Sequence, residues 1–315
     1  MLRDFQIAFS TFRTVNKSMV AWMKTLVGLM LISVACSVAA EPLAMVQQLQ
    51  QPTWLERDGL RGPLYPTVEL QTGDIVQTGA TGKLLLKFAE GSDVEIGSNA
   101  RVRIEQLSSQ PGVELASSSG ASDELVTGSQ SLFRGVLNVL RGAFRFTTSA
   151  AGLGQQRSID ISVGEMATIG IRGTDVWGKA ADNDGGNGDF VVLIEGTISV
   201  NRQGAASLTM DEPQTIYRAA SGEQASIDSV NVDDLQRWAQ ETALGEGQGV
   251  LSHKGLYGVS LASMQRDDYA RAAHAQFSRQ GYAVYLFAIE KNLQNWQRLA
   301  VVGFVTKADA DFFVD

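Results

Sequence analysis

Thiol and imidazole chemistry are nearly absent from this 315-residue chain, which holds one cysteine, Cys36, and two histidines, His253 and His274. A single thiol excludes an internal disulfide framework and a Cys-ligated zinc site. Two histidines leave little from which to build imidazole triads or His-rich metal centres. Positive charge is also short: 26 Lys and Arg stand against 34 Asp and Glu, for a formal net charge of −8. Without residues 1–40, which carry four basic residues and one acid, 22 basic residues face 33 acidic ones, a net charge of −11. Nucleic acid is therefore not an expected partner, because its phosphates demand a basic surface. No G-x-S-x-G or H-E-x-x-H occurs anywhere.

The apolar run TLVGLMLISVACSVAA spans 16 residues, too few for a comfortable membrane span. Lys17 and Lys24 precede it, and it ends in Val38-Ala39-Ala40 before Glu41. This is the pattern of a secretory signal with a small-residue cleavage site, which predicts export to the periplasm and a mature chain beginning at Glu41. Met19 is an alternative start that would give the signal a conventional length. A lipid anchor on Cys36 is disfavoured, because Ser33 stands where an aliphatic residue is expected three places earlier.

The 44% hydrophobic content is that of a globular protein, and the length suggests two domains. From about Pro42 to Val200 the pattern alternates with period two and is broken by glycine-containing turns. KLLLKF puts Leu84, Leu86 and Phe88 on one face; IDISV does the same with Ile159, Ile161 and Val163; Phe144 and Phe146 flank Arg145. Many short amphipathic strands predict a mainly β domain, whether sandwich, roll or solenoid. Residues 107–130 read as an exposed Ser/Gly-rich excursion. A connector over 202–255 carries one helix, 231–244, with Leu235, Trp238 and Ala239 on one face, and then a flexible linker over 245–255. The last sixty residues predict β-α-β-β-α: strands at 257–263, 282–288 and 296–304, a helix at 267–281, and a second helix opened by a capping box of Thr306 and Asp309. That order is a small α+β, ferredoxin-like split βαβ lacking its final strand.

Several stretches look chemical and are not. RGTDVWGKAADNDGGNGDF is rich in aspartate and glycine, but a calcium loop aligned on Asp182 and Asp184 has Ala180 at its first ligand position and Val191 at its twelfth. A turn between strands is the better reading. Near Gly82 and Lys83, Gln77 replaces the first glycine of a phosphate loop and Leu84 its Ser/Thr. Glu90, Asp93 and Glu95 are close in sequence, but alternation sends Asp93 and Glu95 to a solvated face. His274 falls beside an apolar stripe and reads as a structural histidine.

Two resemblances are specific. Gly73-Asp74 with Thr78-Gly79, the hairpin Glu90-Gly91-Ser92, Arg172-Gly173-Thr174-Asp175 and the turn Glu195-Gly196 resemble the FecR domain family over about residues 44–201. That resemblance implies an extracytoplasmic β module used in envelope sensing or as a scaffold, and it brings no catalytic residue. Residues 256–315 resemble the SPOR family of peptidoglycan-binding modules. Tyr257, Val259, Leu261 and Ser263 match its opening, with Ser260 and Ala262 replacing the usual glutamine and glycine. Arg298, Leu299, Val301 and Phe304 match its third strand, with Val302-Gly303 replacing Gly-Pro. The sequence up to Asp315 does not include the family's closing strand, which is then absent or supplied from elsewhere. The family resemblance implies recognition of glycan strands stripped of stem peptides, at division septa among other places.

Alternation within the C-terminal strands agrees with a surface site. If Val259, Leu261, Val284, Leu286, Leu299 and Val301 face the helices, then Ser260, Tyr285, Phe287, Trp296, Arg298 and Ala300 share the outward face. Aromatic rings there suit the C–H faces of sugars, while Arg298 and Ser260 can donate to hydroxyl or acetamido oxygens. The expected protein is thus a periplasmic, non-enzymatic, peptidoglycan-binding envelope protein of a Gram-negative cell, with no cofactor, no metal and no stable transmembrane anchor after signal cleavage. The alternative is a sensor or scaffold whose FecR-like domain binds an envelope protein and whose C-terminal module is a docking platform.

Overall fold

Side chains that alternate with period two can bury one face of a sheet, and the buried positions are those the alternation selects. Leu84, Leu86 and Phe88 are all within 1% of complete burial, as are Phe144, Phe146, Ile159, Ile161 and Val163, while Lys83, Leu85 and Lys87 stay partly exposed. The computed structural model describes residues 42–110, 132–148, 157–171, 173–181, 188–219 and 225–314. Residues 1–40, Arg172, Asp182, Asp184 and most of the Ser/Gly-rich excursion lie outside them. From Pro42 onward the chain forms one compact unit.

Among the described residues, those before residue 230 form strands and no helix: β1 (Ala44–Gln50), β2 (Thr53–Arg57), β3 (Leu60–Pro63), β4 (Ile75–Thr78), β5 (Lys83–Phe88), β6 (Asp93–Ile96), β7 (Arg101–Gln110) and β8 (Leu132–Thr147). The series continues through β9 (Arg157–Val163), β10 (Ala167–Ile171), β11 (Asp175–Ala180), β12 (Phe190–Glu195), β13 (Ile198–Asn201), β14 (Leu208–Met210), β15 (Thr215–Arg218) and β16 (Ser226–Ser229). After these come α1 (Val232–Thr242), β17 (Val250–Ser252), β18 (Tyr257–Met264), α2 (Asp267–Arg279), β19 (Tyr285–Lys291), β20 (Gln294–Phe304) and α3 (Lys307–Val314).

Among the described residues, pairing is antiparallel except between β8 and β9. One sheet runs β3-β2-β4-β7-β8-β9-β10-β13-β14, and the other runs β16-β15-β12-β11-β8-β6-β5-β1-β17-β20. Strand β8 serves both, pairing β7 and β9 through its first part and β6 and β11 through its second. The two sheets share one apolar cluster, to which Val76, Val102, Ile104 and Ile169 come from the first and Leu84, Val94, Phe144 and Phe146 from the second. Each such side chain contributes about 1.5–3 kcal/mol when fully buried.

The change of sheet inside β8 falls at Gly142, which has φ +90. A Cβ there would lie 2.5 Å from the Cα of Ala100. Neither the backbone angle nor the space suits any other residue. Gly142→Ala is expected to lower stability by about 1–3 kcal/mol, read from the midpoint of urea unfolding; an unchanged midpoint would mean that β8 can cross between sheets without this conformation.

The motif residues of the β part prove to be internal fasteners. Asp74 is 1% exposed and accepts from Arg57 Nε and Nη2, both at 2.7 Å, and from the Gln71 backbone N–H at 2.8 Å. That contact raises the Arg57 pKa. Thr78 Oγ1 donates to the Gly97 carbonyl at 2.7 Å and accepts from the Ala100 N–H at 2.8 Å. Asp175 takes both arms of Arg145, at 2.9 and 2.7 Å, and so ties β11 to β8. Glu95 is not on a solvated face as alternation alone suggests: helix α1 covers it, and Thr242 Oγ1 donates to it at 3.1 Å.

Of the residues read as a flexible linker, 245–255, Val250–Ser252 are built into the second sheet as β17. Strand β17 lies between β1, with Gln48 opposite Ser252, and β20, with Leu251 opposite Phe304. Leu251 is fully buried. Asp309 Oδ1 accepts from the backbone N–H groups of Gly249 and Val250, both at 3.0 Å. Three residues are too few to display a period of two, so composition alone suggested a linker. The strand expected at 282–288 begins instead at Tyr285, because Gly281 turns the chain with φ +85 and the Ala283 N–H goes to Gln51 Oε1 at 2.7 Å. Among the described residues, no helix is long and apolar enough to cross a membrane.

Candidate functional site

The last sixty residues place β20 between β18 and β19, with α2 and α3 packed on one face of these strands. Helix α2 lays Ala270, Ala273 and Phe277 against the sheet, and Leu299 and Val301 beneath them are fully buried. The helix ends where sequence reading put its stop, with Gly281 at positive φ. Helix α3 opens with the expected reciprocal cap: Thr306 N–H donates to Asp309 Oδ2 at 3.0 Å, and Asp309 N–H donates to Thr306 Oγ1 at 3.1 Å. His274 Nε2 lies 3.1 Å from the Val284 carbonyl, holding α2 to the chain that enters β19.

Register determines what the opposite face carries. Ser260, Ala300 and Tyr285 form one row across β18, β20 and β19; Ser263, Arg298 and Phe287 form the next; Trp296 and Ile289 pair beyond them. Residues paired directly across antiparallel strands share a face, so Ser260, Tyr285, Phe287, Trp296 and Arg298 come together. Tyr285 and Phe287 stack with centroids 6.1 Å apart and are 36% and 40% exposed. The side chain of Arg298 is exposed beside Phe287 and makes no hydrogen bond or ion pair with another described residue. Its guanidinium is free to meet an incoming acceptor. Trp296 is only half-buried, so it offers less ring surface than alternation suggested, and Ala300 is buried.

Sequence reading missed Tyr65, which follows β3. Its ring meets Tyr285 edge-on at 5.1 Å, and its hydroxyl donates to the Val284 carbonyl at 3.1 Å. Burial raises the phenol pKa of both tyrosines. Tyr65 thus props Tyr285 from the β part of the chain and lengthens the aromatic row to three rings. No local pattern reveals a contact across more than two hundred positions.

The carboxylates near Glu90 have individual partners rather than each other: Glu90 accepts from the Ser92 N–H, Asp93 pairs with Lys87 at 2.9 Å, and Glu95 takes Thr242. Among the described residues, no three His, Cys, Asp or Glu side chains gather as a metal ion requires. What the outer face offers is stacking surface, one free cation and hydroxyls, a set suited to binding an extended polar ligand.

No protein-family model matches the chain, and no curated protein matches it. Among solved structures, the chain is similar to two crystal structures from Parabacteroides distasonis, each of a provisionally assigned anti-sigma factor. One is 10% identical with a TM-score of 0.37, covering 76% of this chain and 88% of the other; the second is 10% identical with a TM-score of 0.34, covering 69% and 95%.

Proposed function

We propose that this is an exported, non-enzymatic envelope protein that binds the glycan strands of peptidoglycan through the outer face of β18, β20 and β19. In this reading the C-terminal part is a ferredoxin-like, SPOR-like module, and residues 44–201 are a FecR-like β module that holds it. The observation that carries the reading is the exposed Tyr285–Phe287 stack beside the free Arg298. Exposed rings in a row are unusual on a protein surface and mark contacts. Sugar C–H faces stack on such rings, and a guanidinium donates to hydroxyl and acetamido oxygens. The internal pairing of Asp74 with Arg57 and of Asp175 with Arg145 gives the β module's motif residues a structural role, which favours support over chemistry for that part.

The test is co-sedimentation of the protein with purified sacculi, with and without amidase pretreatment to remove stem peptides. Binding should rise after amidase treatment. Phe287→Ala should cost about 1–3 kcal/mol of binding, the range of an interfacial aromatic anchor, and leave the circular dichroism spectrum unchanged, because the ring is outside the apolar cluster. Arg298→Ala should weaken binding less. Wild-type binding by folded Phe287→Ala would move the glycan site off this face.

A further inference from the structure

Residues 281–284 approach β19 without a ladder partner on β20, so other contacts decide how the chain reaches Tyr285. Those contacts come from residues 51–65 of the β part. Trp54 Nε1 donates to the Arg279 carbonyl at 3.1 Å, and the Thr53 N–H donates to the Gly281 carbonyl at 3.0 Å. Gln51 Oε1 accepts from the Ala283 N–H at 2.7 Å. The Tyr65 hydroxyl donates to the Val284 carbonyl at 3.1 Å. The Trp54 indole also closes on Gly281, where a Cβ would lie 2.5 Å from its Cε2. The segment that leads into the exposed rings is thus laid down, bond by bond, on the β part.

Tyr65 acts nearest the rings, and in two ways. Its hydroxyl holds the carbonyl immediately before Tyr285, the same oxygen that lies 3.1 Å from His274 Nε2 of α2. Its ring meets Tyr285 edge-on at 5.1 Å, and Tyr285 in turn stacks on Phe287 at 6.1 Å. Stacking on a sugar needs a ring fixed in one orientation. A ring that is held before the ligand arrives loses less rotamer freedom on binding, and affinity rises accordingly.

We propose that Tyr65 is a positioning residue for glycan binding, and that residues 51–65 preorganise the outer face so that the two parts of the chain bind glycan as one unit. The inference rests on the reading of that face as the glycan site. It adds a coupling: a contact that strengthens binding is itself strengthened by binding, by the same factor. Occupancy of the face therefore tightens the hold of the β part on the C-terminal strands.

Binding of the full chain to soluble glycan oligomers without stem peptides, measured by calorimetry, tests it. Tyr65→Ala is expected to weaken binding about tenfold, and Tyr65→Phe, which keeps the ring and loses the hydroxyl, about threefold. Because Tyr65 acts through Tyr285, adding Tyr65→Ala to Tyr285→Ala should change binding by less than about twofold. Full additivity would overturn the positioning role, since a Tyr65 that touched the sugar itself or steadied the whole chain would act in either background. Hydrogen exchange supplies the reciprocal readout. The Ala283 amide, whose acceptor is Gln51, should exchange more slowly in the glycan-bound chain, and Tyr65→Ala should abolish that slowing; an Ala283 amide indifferent to glycan would overturn the coupling. Circular dichroism checks the fold of each variant, and Tyr65→Phe carries the test should the truncated forms unfold. Wild-type affinity in both Tyr65 variants, with binding lost in Phe287→Ala, would leave the glycan face standing and overturn this inference alone. No binding by the wild type, or wild-type affinity in Phe287→Ala, would overturn the reading of the face and this inference with it.

Discussion

Asp309→Ala is expected to lower the stability of the protein by about 3–5 kcal/mol, although the residue sits in the first turn of a short helix near the end of the chain. The side chain is fully buried and takes four hydrogen bonds. Oδ2 accepts from the Thr306 N–H and hydroxyl, and Oδ1 accepts from the Gly249 and Val250 N–H groups. Truncation leaves three backbone donors without an acceptor, each costing about 1–3 kcal/mol where water cannot replace it. It also frees β17, the strand that joins β1 to β20. Asp309→Asn keeps one acceptor oxygen and should cost less. Burial alone would push the Asp309 carboxyl up; the hydrogen bonds from Thr306, Val250 and Gly249 outweigh it and hold the pKa below the usual carboxylate range. The linkage sign follows. A depressed folded-state pKa contributes stability that is fully present above the unfolded value of about 3.9 and is lost as pH falls through the folded value. The gap between wild type and Asp309→Asn in urea unfolding should therefore be constant from pH 5 to 7, within the range above that unfolded value, and close as the pH falls below about 4. A gap that stays constant down to pH 2, below both values on this scheme, would show that the charge of Asp309 is not what holds β17.

The two roles of this aspartate mark what a sequence can and cannot reveal. Its capping partner is three residues away, so the Thr306–Asp309 pair is legible as a local pattern. Its hold on Gly249 and Val250 spans some sixty positions, and nothing local in β17 announces it. The same division holds elsewhere. The alternation of Leu84, Leu86 and Phe88 reports burial directly, because one turn of the strand repeat decides which face a side chain takes. That Asp74 pairs with Arg57, or that α1 covers Glu95, depends on which strands and helices become neighbours. On the candidate face, alternation was enough to gather Ser260, Tyr285, Phe287, Trp296 and Arg298, since all belong to three adjacent strands. Tyr65 arrives from the β part of the chain, through contacts that exist only once the C-terminal strands are joined to it by β17.

Trp177→Ala should cost about 3–5 kcal/mol, the penalty for truncating a large buried aromatic, and the loss should be shared with helix α1. Trp177 projects from the face of the second sheet opposite the main core, yet is 1% exposed, because α1 lies over it. Trp238 of that helix stacks on it at 5.4 Å with planes 15° apart, and Phe190 completes the cluster at 5.5 Å from Trp177 and 5.2 Å from Trp238. Polar ties add to this packing. Lys83 Nζ donates to the carbonyls of Gln240 and Ala243, both at 2.8 Å, closing the C-terminal end of the helix, and Lys179 pairs with Glu241 at 2.7 Å. Burial lowers the Lys83 pKa. Because the helix is held by one aromatic cluster, the two tryptophans should not act independently. Trp238 is half-buried, so Trp238→Ala alone should cost about 2–3 kcal/mol. The double variant should cost about 0.5–1.5 kcal/mol less than the sum, the extra energy of an aromatic pair. Trp177→Phe should be much milder, since it keeps most of the ring surface and removes an indole N–H that has no partner among the described residues. Urea unfolding followed by circular dichroism gives all four values. Additive losses within about 0.3 kcal/mol would mean that the stack is incidental and that α1 is held by Lys83 and Lys179 instead.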